Sequence, residues 1–165
     1  MPDRHTLYSL GGWFALALLV VVLDQWSKAL ALAHLDYARP QALLPVLNLT
    51  LQYNEGAAFS FLSDAGGWQR WFFSAVALIA SVVIAVWLAR LKREDKLLAA
   101  SLSLILGGAI GNLWDRLQYG HVVDFISVHY QDWYFPTFNV ADSAVTVGAA
   151  LMILDAVLQA KAAKE

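Results

Sequence analysis

Four apolar stretches, each close to the length a helix needs to cross a bilayer, leave this chain few ways to fold. They run over about residues 12–35, 71–91, 97–114 and 140–158. A helix rising about 1.5 Å per residue needs roughly 20 apolar residues to cross a hydrocarbon layer about 30 Å thick. Hydrocarbon offers the backbone no partner, so each stretch is expected to satisfy its own N–H and C=O groups as a helix. Of the 165 residues, 59% are hydrophobic and 15% charged, which leaves room for the spans, short connections and little else. The expected fold is membrane all-α, a four-transmembrane-helix bundle forming one domain over 1–165. Any site must then lie in or beside the bilayer.

Basic residues orient the bundle. Arg90, Lys92, Arg93 and Lys96 crowd the link between the second and third spans, and Arg4, Lys161 and Lys164 lie near the two ends. The positive-inside rule puts that link and both termini in the cytoplasm and segments 36–70 and 115–139 on the outer side. Trp13, Trp68, Trp71, Trp87 and Trp114 fall near span ends, as an aromatic belt requires. A cleaved signal peptide is the competing reading of the first stretch, with Ala29-Leu30-Ala31 or Ala31-Leu32-Ala33 as its processing site. Asp24 and Lys28 interrupt the apolar run that such a peptide needs. Without cysteine the chain has no disulfide, thiolate metal site or cysteine nucleophile, and a net charge of -2 gives no sign of a nucleic-acid partner.

The outer segments carry their own patterns. Leu47 to Tyr53 alternates apolar and polar with period two, the mark of a strand with one buried face, and Val122 to Tyr130 is rich in β-branched and aromatic residues after Gly120. A small extracytoplasmic β-sheet is expected. Ala57 to Leu62 is a short apolar segment between Asn54-Glu55-Gly56 and Gly66-Gly67, and would suit a short interfacial helix acting as a lid.

Two carboxylates sit in unusually apolar surroundings, Val122-Val123-Asp124-Phe125-Ile126 and Phe138-Asn139-Val140-Ala141-Asp142. Asp142 opens the fourth span, where capping the positive end of the helix explains it alone. Asp124 lies just beyond the third span, so both acids fall on one face of the membrane at similar depth. Two such carboxylates a few Å apart cannot both ionise cheaply, and a shared proton equips them for acid-base chemistry. Asp24 and Lys28, at i and i+4 in the first span, form a helical ion pair that either neutralises itself or supports a site nearby. Asp155 lies roughly 20 Å along the fourth helix from Asp142, toward the cytoplasmic end. The remaining acids fall in loops and tails.

Other chemistries fit less well. His5, His34, His121 and His129 lack the H-E-x-x-H spacing of a zinc protease, there is no G-x-S-x-G elbow, and Lys28 as the base of a serine dyad is already matched by Asp24. No metal or other cofactor is expected. Gly107 and Gly111 form a G-x-x-x-G on the third span, most simply a close helix contact.

Five short segments, in order, resemble a known family. Asp24-Gln25-Trp26-Ser27-Lys28, Asn54-Glu55-Gly56-Ala57-Ala58-Phe59-Ser60, Gly111-Asn112-Leu113-Trp114-Asp115-Arg116, Gly120 to Ile126, and Phe138-Asn139-Val140-Ala141-Asp142-Ser143 look like the motif set of bacterial lipoprotein signal peptidase, or signal peptidase II. Trp114 stands where that family commonly has an aliphatic residue. The resemblance implies an intramembrane aspartic endopeptidase of the bacterial inner membrane, removing signal peptides from prolipoproteins just before a diacylglyceryl-modified cysteine. It makes Asp124 and Asp142 the catalytic pair. Asn54, Asn112, Arg116 and Asn139 match residues that line the site, and Asp24, Lys28 and Asp115 support it. Arg116, if buried, would need a partner such as Asp115. The implied partners are the prolipoprotein signal peptide and membrane lipid, with the enzyme a monomer. A small proton-coupled transporter or channel subunit is the alternative, and predicts a relay of acids through the membrane depth, such as Asp24, Asp142 and Asp155.

Overall fold

The computed structural model describes residues 4–56 and 67–163. The elements follow as α1 (Arg4–His34), β1 (Gln41–Leu44), β2 (Leu47–Asn54), α2 (Trp68–Arg90), α3 (Lys96–Gln118), β3 (Val122–Tyr130), β4 (Trp133–Tyr134) and α4 (Val140–Ala162). All four helices are long and apolar enough to span a membrane, as their composition requires. The lid expected at 57–62 lies outside the described residues.

The bundle is built with small residues inside and large ones outside. Leu18, Ile79, Val83 and Ile153 are more than half exposed, which suits lipid, while the helix contacts are made by Ala17, Gly107, Gly108, Gly111, Ala141 and Gly148. Helix α3 packs against the other three. A Cβ on Gly107 would stand 2.6 Å from the Ala17 carbonyl of α1, and one on Gly108 would meet Ala141 and Val145 of α4. Gly107 and Gly111 are therefore contact glycines, as their spacing predicted, and Gly108 between them serves α4. Toward the α2–α3 link the core is mainly apolar, with Leu88, Ala99, Leu102 and Leu106 buried and Trp13 packed on them, and the buried Ser101 and Ser103 hydroxyls bonded to the Gly148 and Ala99 carbonyls.

Helix α3 continues past the expected end at 114 and carries Asp115 and Arg116 in its last turns. Hydropathy falls there, but the helix ends only where Gly120 adopts φ 87, a left-handed conformation that glycine accepts readily. The turn sends the chain into β3.

The sheet has strand order β1-β2-β3-β4, all antiparallel. Both strands expected from sequence are present, but β2 does not bury its apolar positions with period two. Asn48 and Thr50 are buried while Leu47 and Leu49 are only partly covered, and Leu51 is buried next to Thr50. A bulge between Leu49 and Gln52 breaks the period of two and lets consecutive residues turn inward. The sheet thus presents a polar face, Thr50, Gln52 and Ser127, to a cavity. Finally, Phe138 bonds to Ile126 in both directions, at 2.8 and 3.0 Å, and so fastens the segment before α4 to β3.

Candidate active site

That junction carries Asp124 in β3 and Asp142 in the first turn of α4 to the same place. Asn139 joins them. It is the N-cap of α4, and its Oδ1 accepts from the Asp142 backbone N–H at 2.9 Å while the Asp142 carboxylate accepts from the Asn139 N–H. This reciprocal cap fixes the amide, leaving Asn139 Nδ2 to donate to Asp124 Oδ1 at 2.8 Å and to Asn112 Oδ1 at 3.1 Å. Asn112 Nδ2 donates to Asp142 Oδ1 at 2.8 Å, and Asn54 Nδ2 to Asp124 Oδ2 at 3.1 Å. The expected capping by Asp142 is therefore real, but Asp142 is the third residue of the helix and the cap itself is Asn139.

Asp124 is 2% exposed. Burial pushes its carboxyl up to about 7, and the charge of Asp142 adds to that, against the Asn54 and Asn139 donors and Lys28. A carboxyl held in that range exchanges a proton near neutral pH.

Arg116 faces the pair but does not bond to Asp115. Its Nη2 donates to the Gly56 carbonyl at 3.0 Å, its guanidinium lies over the Phe73 ring, and its Nε is buried with no hydrogen-bond partner among the described residues. The expected Arg116–Asp115 pairing fails because consecutive helical side chains diverge by about 100°. Asp115 turns instead to α1.

There it meets Lys28. The ammonium is 2.8 Å from Asp24 Oδ2, 2.8 Å from Asp115 Oδ2 and 3.0 Å from Asn112 Oδ1. Gln25, named in sequence only as part of a motif, bonds to both Asp24 and Asp115. A polar residue beside Asp24 inside a span was the available signal. The same carboxylates hold backbone: Asp24 accepts from Ala141 N–H at 2.9 Å through Oδ1, the oxygen Lys28 leaves, and Asp115 Oδ2 accepts from Val123 N–H at 3.0 Å as well as from Lys28. Asp155 stands apart, bonded to Gln159.

Two cavities meet at the pair. One of about 520 Å³ is lined by Asn112, Arg116, Asp142 and, along α4, Ser143, Val145 and Val147. The other, about 450 Å³, has Asp124 and the polar sheet face. Asn54 and the segment Phe135 to Thr137 wall both. A buried and a half-buried acid, fixed amides and an Arg over an open, partly apolar cleft form an arrangement able to bind an extended peptide and move protons at it.

Comparison with known proteins is decisive at this point. The family model described as Signal peptidase (SPase) II matches residues 16–158. The chain belongs to the signal peptidase II family. It is 54% identical over 143 residues to the lipoprotein signal peptidase of Acinetobacter baumannii, covering 87% of this chain and 81% of that one. It is 52% identical over 157 residues to the lipoprotein signal peptidase of Pseudomonas fluorescens, covering 94% and 92%. A solved bacterial membrane enzyme superposes with a TM-score of 0.83 at 31% identity, covering 94% of this chain and 92% of that structure. A signal peptidase II is an aspartic peptidase, so this chain is a multi-pass membrane enzyme of that kind.

Proposed function

We propose that this chain removes the signal peptide of diacylglyceryl-modified prolipoproteins, cutting before the lipidated cysteine, with Asp124 and Asp142 as the catalytic pair. The observation that carries this reading is Asn139, which bonds to both aspartates and holds them together at the junction of the two cavities. The ionised aspartate takes a proton from water, whose oxygen attacks the scissile carbonyl carbon. The carbonyl oxygen receives the proton of the other aspartate. When the C–N bond breaks, the proton taken from water passes to the leaving nitrogen, and the hydroxyl proton of the intermediate returns to the second aspartate.

Arg116, Asn54, Asn112 and Asn139 supply donors around that carbon and bind the peptide, with Arg116 Nε, unpartnered among the described residues, as a donor for a substrate carbonyl. Asp24, Lys28 and Asp115 hold the site from below. The basic α2–α3 link and both termini lie in the cytoplasm, and the site near the outer face of the inner membrane, where a lipid-anchored cysteine would lie. The enzyme works as a monomer surrounded by lipid.

The test is incubation of purified protein with a prolipoprotein bearing the diacylglyceryl group and with its unlipidated form. Cleavage of the first, lost in Asp124→Asn and in Asp142→Asn, is expected. Undiminished turnover in either variant would sink the pair.

A further inference from the structure

Resting on that reading, we infer that Lys28 is a positioning residue that assigns the protons of the pair, making Asp142 the ionised, water-activating aspartate and Asp124 the proton carrier. An ammonium has three N–H donors and no acceptor, and those of Lys28 meet Asp24, Asp115 and Asn112 at 2.8, 2.8 and 3.0 Å. Asn112 must therefore turn its oxygen to Lys28. Its NH2 is left to point at Asp142 Oδ1, 2.8 Å away. The other Asp142 oxygen accepts the Asn139 N–H at the start of α4, where partial positive charge from the helix end also favours an anion.

Among the described residues Asp124 has only the side-chain amides of Asn54 and Asn139 as donors, away from any helix end, and it is 2% exposed. Burial without charge compensation favours its neutral form. The charged groups facing the pair are Lys28 and Asp24 from α1 and Asp115 and Arg116 from α3. Lys28 is closer to Asp142 in bonding terms, since one amide separates them.

The same lysine sets the backbone. Its two carboxylate partners grip Ala141 N–H and Val123 N–H, each one residue before an aspartate of the pair. One side chain on α1 thus fixes the approach of β3 and of α4 and the direction of the Asn112 amide.

The kcat/KM–pH profile on diacylglyceryl-modified prolipoprotein tests this in Asn112→Leu and in the triple variant Lys28→Met, Asp24→Asn, Asp115→Asn. The triple variant leaves no buried charge unmatched, and the Asn side chains still accept from Ala141 and Val123. In both, the acid limb should move up by about one pH unit or more, with kcat lowered ~10-fold or more, and KM little changed in the triple variant. Profiles that superimpose on the wild type after scaling would reduce Lys28 to a structural role and overturn the inference. An assignment independent of turnover comes from infrared spectra near about pH 5, where exposed carboxyls are mostly ionised. A protonated-carboxyl band absent in Asp124→Asn and present in Asp142→Asn is expected, and the reverse would overturn it. Failure of the wild type to cut any prolipoprotein would instead refute the proposed function, leaving the infrared result to stand alone.

Discussion

Two pairs of acids, joined through Asn112, behave differently. Asp24 and Asp115, both 0% exposed, share Lys28, and every donor of that lysine is engaged. Asp124 and Asp142 receive amides and backbone N–H groups but, among the described residues, no direct cation. A carboxylate locked to an ammonium is fixed in charge and geometry, whereas one held by neutral donors can gain or lose a proton at modest cost. The chain thus separates anchoring from chemistry by partner type, with Asn112 bonded to both.

Breaking each group in turn should give opposite results. Asp124→Asn keeps the shape of the side chain and one of its two accepted amide bonds and removes a buried carboxyl, so cleavage should fall ~10³-fold while the thermal midpoint in detergent changes little. Lys28→Met should do the reverse of sparing the fold: with two carboxylates left buried and unpaired, stability should drop by about 3–5 kcal/mol in denaturant titration. Gly111→Ala probes the packing between the groups. A Cβ there would stand 2.6 Å from Asp24 Oδ2, which cannot yield because Lys28 and Ala141 hold that carboxylate, and a loss of about 1–3 kcal/mol is expected in the same assay.

The pH dependence sharpens the contrast further. With the Asp124 carboxyl raised from 3.8 to about 7, the folded chain keeps a proton that the unfolded chain releases. Its contribution to stability is therefore full below about 4 and lost as pH rises through about 7, and turnover should decline on the same alkaline side. Asp124→Asn should flatten the stability curve over that window. Asp142→Asn, which removes the like charge, should move its midpoint down. The smallest effect belongs to the exposed pair Asp36–Arg39 at 3.5 Å: Asp36→Asn should leave both midpoint and turnover unchanged within error.

Much of this was legible in the sequence, and unevenly so. Hydropathy located the four spans because burial in lipid is a property of a segment taken alone, and the i, i+4 spacing of Asp24 and Lys28 was enough to pair them. The β-sheet was visible in Leu47 to Tyr53 and Val122 to Tyr130, but its polar inward face was not, since the bulge in β2 depends on pairing with β3. The end of α3 was placed early because Asp115 and Arg116 read as loop residues, and their charge is matched only by groups far away in sequence.

What the sequence by itself determined is the bilayer setting, the number of helices and which acids lie in apolar surroundings. Which acid meets which partner was decided by the tertiary structure alone. Lys28 reaches Asn112 across 84 positions and Asp24 reaches Ala141 across 117. Hydrogen bonds fall off within a few tenths of an ångström and depend on direction, so no pattern along the chain encodes them. They exist only once glycines on α3 have let α1 and α4 close around it.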